Sequence, residues 1–145
     1  MKIYLDTNIF LNVIYKEPKF KPKSADLLRR VQAEEVAATT SAVTLLEIIL
    51  DMTSSGFADQ TEVSIASIED LRALTITPLD SAMSKAAATY VLEDKITIHD
   101  AYHLATAVHS KVLYFVTRDV VLSKKIRAHV KVVTPEEVPS VKSSD

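Results

Sequence analysis

Hydrophobic positions along the chain alternate between a period of two and a period near 3.6, and these switches divide it into strands and helices. Lys2 to Leu5 reads as a short strand, and Ile9, Phe10, Val13 and Ile14 then recur at helical spacing, so a strand passes into a helix at Asp6. The stretch KEPKFKPK, residues 16 to 23, is charged and holds two prolines; it predicts an exposed connection, with Ser24 capping a helix that contains Leu27, Leu28 and Val31. Val36 to Thr40 predicts a second strand and residues 42 to 53 a strongly apolar helix. A TSSG turn follows, then a helix whose start is signed by Asp59 and Glu62 as a capping box. Leu74 to Thr77 predicts a third strand. Asp80 caps a helix to about Glu93, and Thr97 opens another to about Ser110. Val112 to Thr117 predicts a strand, Asp119 to about His129 a helix, and Lys131 to Val133 a last strand. Thr134-Pro135-Glu136-Glu137 reads as a helix start, and the chain is expected to fray from about residue 140.

Strands separated by helical stretches predict an α/β fold, a three-layer α/β/α sandwich around a mainly parallel sheet. The 145 residues suit one domain, which at this size buries roughly 70% of the surface its unfolded chain exposes. No apolar run approaches the ~20 residues that span a bilayer. The opening MKIYLDTNIF lacks the uninterrupted apolar stretch of a secretory signal, so a cytoplasmic location is expected. The absence of cysteine excludes disulfides, thiolate zinc sites and cysteine nucleophiles. A single glycine, Gly56, excludes phosphate-cradling GxGxxG and GxxxxGK[ST] loops and the GxSxG nucleophile elbow. Chemistry must then come from carboxylates or histidines.

Four carboxylates interrupt the apolar pattern. Asp6 in IYLDTNIFL and Asp119 in LYFVTRDVVL each follow the carboxyl end of an apolar strand and begin a helix, at the sheet edge where ligands bind in open α/β folds. Glu47 in VTLLEIIL falls beside a stripe of Val43, Leu46 and Leu50, which predicts half-burial. Asp100 in TIHDAYHLATAV flanks a stripe of Ala101, Leu104, Ala105 and Val108. Each has an ordinary structural reading: helix capping for the three aspartates, and a carboxylate reaching solvent along its own methylenes for Glu47. As a set they suggest more. Two carboxylates ~4 Å apart repel by about 4 kcal/mol even at an effective dielectric of ~20, so a cluster of four calls for protonation or bound cations. All-oxygen ligands suit Mg²⁺ or Mn²⁺ better than zinc. The net charge of −2 does not by itself advertise a nucleic-acid binder, although Lys124, Lys125, Arg127, His129 and Lys131 lie close together.

YLDTNIFL, the helical LLE of residues 45 to 47, HDAYHLATA and FVTRD resemble, in order and spacing, the four acidic motifs of PIN domains, particularly VapC-type toxins, over Lys2 to about Val133. The resemblance implies a PIN-like fold in which Asp6, Glu47, Asp100 and Asp119 form an acidic Mg²⁺ or Mn²⁺ site supported by Asn8 and Thr117. It implies metal-assisted hydrolysis of RNA phosphodiester bonds without a covalent intermediate. It also implies a homodimer inhibited by a small antitoxin whose chain enters the acidic groove. Leu122 stands where many relatives carry an aromatic, a departure that touches packing more than chemistry. Arg118 is left with two roles, contact with phosphate or neutralisation of an acid.

Three other readings compete. His99 and His103 form an H-D-x-x-H pair similar to the zinc-protease HExxH, but both project away from the Ala101, Leu104 and Val108 stripe and are expected in solvent. A haloacid-dehalogenase-type phosphatase also begins with an aspartate after its first strand, yet its second acid is here Asn8. A catalytically silent PIN fold serving as an RNA- or protein-binding scaffold is the third.

Overall fold

The computed structural model describes residues 1–140, so the fraying expected from about residue 140 lies, but for that residue, outside the described part. Five parallel strands form one sheet in the order β3-β2-β1-β4-β5: β1 (Lys2–Leu5), β2 (Ala37–Ser41), β3 (Leu74–Thr77), β4 (Tyr114–Val116) and β5 (Val132–Val133). The chain begins in the middle, builds outward to β3, and returns to lay β4 against the free edge of β1. Because parallel crossovers are right-handed, reversing the direction of growth sends the two sets of helices to opposite faces.

Side-chain alternation along the strands follows suit. Ile3 and Leu5 face a core built with α1 (Thr7–Ile14), α2 (Lys21–Gln32), α3 (Ala42–Ser54) and α4 (Thr61–Glu69). Tyr4 and Phe115 face the other core, built with α5 (Ser81–Asp94), α6 (Ile98–His109) and α7 (Val120–Ile126). The result is the three-layer α/β/α sandwich. Strand β2 lies inside the sheet yet reads AATTS; Thr39, Thr40 and Ser41 are fully buried, and each hydroxyl is bonded. Thr40, for example, donates to the Leu5 carbonyl at 2.8 Å and meets the Thr44 hydroxyl at 2.7 Å.

Several element ends depart from expectation. Helix α2 starts at Lys21, three residues before Ser24, with Pro22 in its first turn and no side-chain cap. Ser24 is instead wholly buried inside the helix, where its hydroxyl donates to Asn12. The Asp59 and Glu62 capping box does not form; a 3₁₀ turn, Ala58–Gln60, leads into α4 without a side-chain cap. Helix α7 stops at Ile126, and Pro135–Glu137 is a single 3₁₀ turn rather than the start of a longer helix. On α3 the buried face is Val43, Thr44, Ile48 and Met52, whereas Leu46 and Leu50 are 47% and 55% exposed.

The chain after β5 folds back as a strap over the first half. Val138 is buried, and the Arg30 guanidinium donates to the carbonyls of Val138 (3.4 Å) and Pro139 (2.5 Å). Glu136 receives both arms of the Arg118 guanidinium, at 2.9 and 2.6 Å. Arg118 also lies over the Phe20 ring, 4.3 Å from its centroid, and donates to Asn12 Oδ1 at 3.1 Å. It therefore neutralises an acid, Glu136, while its backbone belongs to the turn between β4 and α7.

Two stability predictions follow from these contacts. Hydrogen bonds from Arg118 hold the Glu136 carboxyl down to about 2, against an ordinary value of 4.5. A depressed folded-state value means that the stabilisation is present above pH 4.5 and disappears as pH falls through about 2. Glu136→Gln should cost about 1 kcal/mol at neutral pH once solvent screening of this half-exposed pair is allowed for. The gap from wild type in urea unfolding should shrink below pH 4.5 and close near pH 2; a gap independent of pH would refute the pairing. Lys95, which ends α5, has φ 57° and ψ 41°, a left-handed conformation that glycine adopts without steric cost. Lys95→Gly should raise stability by up to about 1 kcal/mol with an unchanged denaturant slope.

Candidate functional site

Strand order reverses between β1 and β4, and their carboxyl ends lie side by side. Asp6 N–H continues the ladder by donating to the Val116 carbonyl at 3.0 Å. The Asp6 side chain caps α1, its Oδ1 accepting from Thr7 N–H at 2.8 Å. Its Oδ2 accepts from the Thr117 hydroxyl at 2.7 Å and from Asn8 Nδ2 at 3.3 Å. That hydroxyl, almost fully buried, also accepts from Asn8 Nδ2 and from Asp119 N–H, both at 3.0 Å. One donor and two acceptors exhaust what a hydroxyl can do. Asn8 Oδ1 accepts from Arg118 N–H at 3.2 Å, closing the ring of contacts between the start of α1 and the β4–α7 turn.

Asp119 caps α7 in the way Asp6 caps α1: its Oδ1 accepts from Leu122 N–H at 2.9 Å, while the residue itself is exposed. Leu122 packs, buried, in the second core. Asp100 lies in the first turn of α6, where its N–H donates to the Thr97 hydroxyl at 3.2 Å. Its carboxyl titrates above the ordinary range, chiefly because burial disfavours the charge and then because Asp6, and more weakly Asp119, lie near it. Glu47 is half-buried on α3, as expected, although the helix presents a different apolar stripe to the core. Its Oε1 is 2.5 Å from His103 Nε2 and 3.3 Å from the Thr7 hydroxyl.

His103 overturns an expectation. It is 1% exposed, not in solvent, because α6 is packed by the sheet, α5 and α3 and has no single buried stripe: Ala101, His103, Leu104, Ala105, Thr106 and Ala107 are all buried. His99 is exposed and Val108 is 40% exposed. Around the imidazole, Nε2 faces Glu47, Asp6 Oδ1 at 3.6 Å and the Thr7 hydroxyl at 3.4 Å, while Nδ1 is 2.5 Å from the Tyr4 hydroxyl. Ionised carboxylates only accept, so the network assigns a proton to Nε2 whether the ring is neutral or charged. Tyr4 accepts from Ser41 N–H at 3.1 Å, and burial followed by the Asp6 charge pushes its phenol well above the ordinary value, so it remains protonated. Burial alone would lower the His103 pKa, but Asp6, Glu47 and Asp100 together outweigh it and raise it.

The structure thus brings together all four acids, from four different elements, with Asn8 and Thr117 between Asp6 and Asp119. Among the described residues no lysine or arginine makes a salt bridge with any of the four; only His103 does so. The donor set is oxygen-rich, mutually repulsive and not offset by a lysine or arginine, which fits a hard divalent ion. Among the described residues no three His, Asp or Glu side chains stand so as to hold an ion; Glu47 leans on His103, and both Asp6 oxygens accept hydrogen bonds from the chain. A groove of about 490 Å³ lined by Thr7, Leu11, Glu47, Leu50, Asp51 and His99, among others, opens at Glu47. An apolar cleft between α1, α2 and α4 lies apart and contains no titratable side chain. Of the basic residues near the end, His129 pairs with Asp94 at 2.9 Å and Lys131 lies over the Tyr114 ring; Lys124, Lys125 and Arg127 are exposed. No helix among the described residues is long and apolar enough to cross a membrane.

No curated protein matches the sequence. Solved structures with the same fold include a toxin-antitoxin complex from Klebsiella pneumoniae, 19% identical over 94% of this chain and 99% of that one, TM-score 0.65. They also include VapBC2 from Rickettsia felis bound to a DNA fragment from its promoter, 16% identical over 92% and 98%, TM-score 0.69. FitAcB from Neisseria gonorrhoeae is 24% identical over 94% and 99%, TM-score 0.66. The family model of the PIN domain matches residues 3–127, and with the acidic residues of those four elements gathered at one sheet edge, the chain belongs to the PIN domain family.

Proposed function

We propose that the chain is a Mg²⁺- or Mn²⁺-dependent endoribonuclease, the toxin of a toxin-antitoxin pair, with Asp6, Glu47, Asp100 and Asp119 as its metal ligands. The observation that carries this reading is the meeting of those carboxylates where strand order reverses, without a lysine or arginine counter-charge among the described residues. PIN domains are generally nucleases and typically use divalent metals. Bound among these acids, such an ion would supply Lewis-acid activation of water and offset charge at the scissile phosphate.

The chain's own residues set the geometry. Thr117 and Asn8 fix the Asp6 carboxylate, and the same hydroxyl orients the turn that presents Asp119. Asp100 is brought in by α6, where burial first and then the nearby Asp6 charge raise its pKa. The groove along α1 and α3 gives an extended substrate a path past Glu47. The toxin reading is supported by the fold shared with the Klebsiella pneumoniae structure, which is described as a toxin-antitoxin complex, and by exposed Leu46, Ile49 and Leu50 on α3, the helix that carries Glu47. A small antitoxin laid over that apolar face would cover the acidic groove. A homodimer, cytoplasmic like its RNA substrate, completes the reading.

Two experiments test it. Purified protein given single-stranded and structured RNA should cleave in Mg²⁺ or Mn²⁺ and stop with EDTA, and Asp6→Asn should lose at least 100-fold in rate with its circular dichroism retained. Unimpaired cleavage by Asp6→Asn, or cleavage indifferent to chelator, defeats the metal site; chelator-insensitive RNA binding without cleavage identifies a scaffold instead. Co-expression with the product of an adjacent small open reading frame should give a stable complex in which cleavage is suppressed. Failure to form that complex counts against the toxin role and leaves the nuclease intact.

A further inference from the structure

We infer that His103 is a positioning residue for Glu47, the fixed end of a buried Tyr4–His103–Glu47 chain that aims one carboxylate into the acidic site. The inference rests on the nuclease reading above and deepens it. Glu47 stands on a partly exposed helix face with three rotatable bonds, so its direction needs a restraint. His103 supplies one: Nε2 donates to Oε1 at 2.5 Å, and Oε2 has no hydrogen bond from the chain among the described residues. The ring cannot turn away, because Nδ1 is held at 2.5 Å by the Tyr4 hydroxyl, itself fixed by Ser41 N–H and stacked on Phe115 with centroids 4.9 Å apart.

The network is not what the core needs. A buried polar chain is often no more stabilising than apolar residues of similar volume replacing it as a whole, although the groups around the His103 ring, Tyr4, Thr7, Asp6 and Glu47, are themselves polar. Its orientation is specific, however. His103 follows Asp100 by three residues, so α6 presents an acid and a donor on the same side, one contributing charge to the site and the other holding the acid that α3 contributes. Partners that orient a metal's ligands govern affinity nearly as strongly as the ligands themselves.

Mn²⁺ titration by calorimetry on the intact chain, with melting temperature measured alongside, tests this directly. His103→Leu should bind Mn²⁺ about 10–100-fold more weakly than wild type, and His103→Gln, which keeps a donor toward Glu47, should recover most of the loss. In a Glu47→Gln background His103→Leu should weaken Mn²⁺ binding no further. A packing role would shift melting in both backgrounds and leave the Mn²⁺ affinity of the folded protein unchanged. Wild-type affinity in His103→Leu, or an equal loss in the Glu47→Gln background, overturns the positioning role while the nuclease reading stands. Should His103→Leu not fold, Tyr4→Phe releases the far side of the ring and must weaken Mn²⁺ binding for the inference to survive. A wild-type chain that takes up no Mn²⁺ overturns the metal reading and this inference with it.

Discussion

The hydrogen bond from the Thr117 hydroxyl to the Asp6 carboxylate joins the ends of two neighbouring parallel strands, and most of the site is arranged around it. It requires β1 and β4 to be adjacent, a consequence of the chain reversing its direction of growth across the sheet. It also requires Thr117 to be buried with all its bonding capacity used, which Asn8 and the Asp119 amide provide. Helices α1 and α7 begin at this junction, so two helix N-termini point at the acids that cap them. A helix terminus stabilises a nearby carboxylate by only about 0.3–1 kcal/mol, whereas a close carboxylate pair repels by about 4 kcal/mol. Capping explains why single aspartates tolerate these positions; it does not balance four acids in one place. On the proposed reading, a divalent cation supplies the difference.

What could be seen in the sequence is what depends on local pattern. Strand β3 spans Leu74–Thr77, as expected, and Asp80 and Thr97 cap the helices they were expected to cap. The four acids stood out because each breaks an apolar pattern at a strand end or beside a helix stripe. The misread faces of α6 and α3 share a cause, the assumption that a helix buries one stripe of apolar residues. Helix α6 is packed on several sides, so the wheel that sends His103 to solvent does not apply to it. On α3, Thr44 is fully buried while Leu46 and Leu50 are exposed, because the Thr44 hydroxyl finds Thr40 in β2, a partner that composition does not reveal. The Glu47–His103 contact spans 56 residues and joins two separate motifs, so spacing within either gives no sign of it.

The scarcity of glycine links stability to chemistry. Lys16, Glu34, Lys95 and Lys111 all take positive φ at turns where glycine is the usual residue. Without glycine-rich loops the backbone offers no cradle for phosphate, and the arginine nearest the acids is committed elsewhere: Arg118 is held by Glu136, Asn12 and the Phe20 ring. His129 is likewise tied to Asp94. The acidic edge left bare would therefore repel a polyanion. If RNA is the substrate, the charge that draws phosphate to this edge must arrive as bound cation, and the same ion that reconciles four carboxylates with one another reconciles them with the substrate.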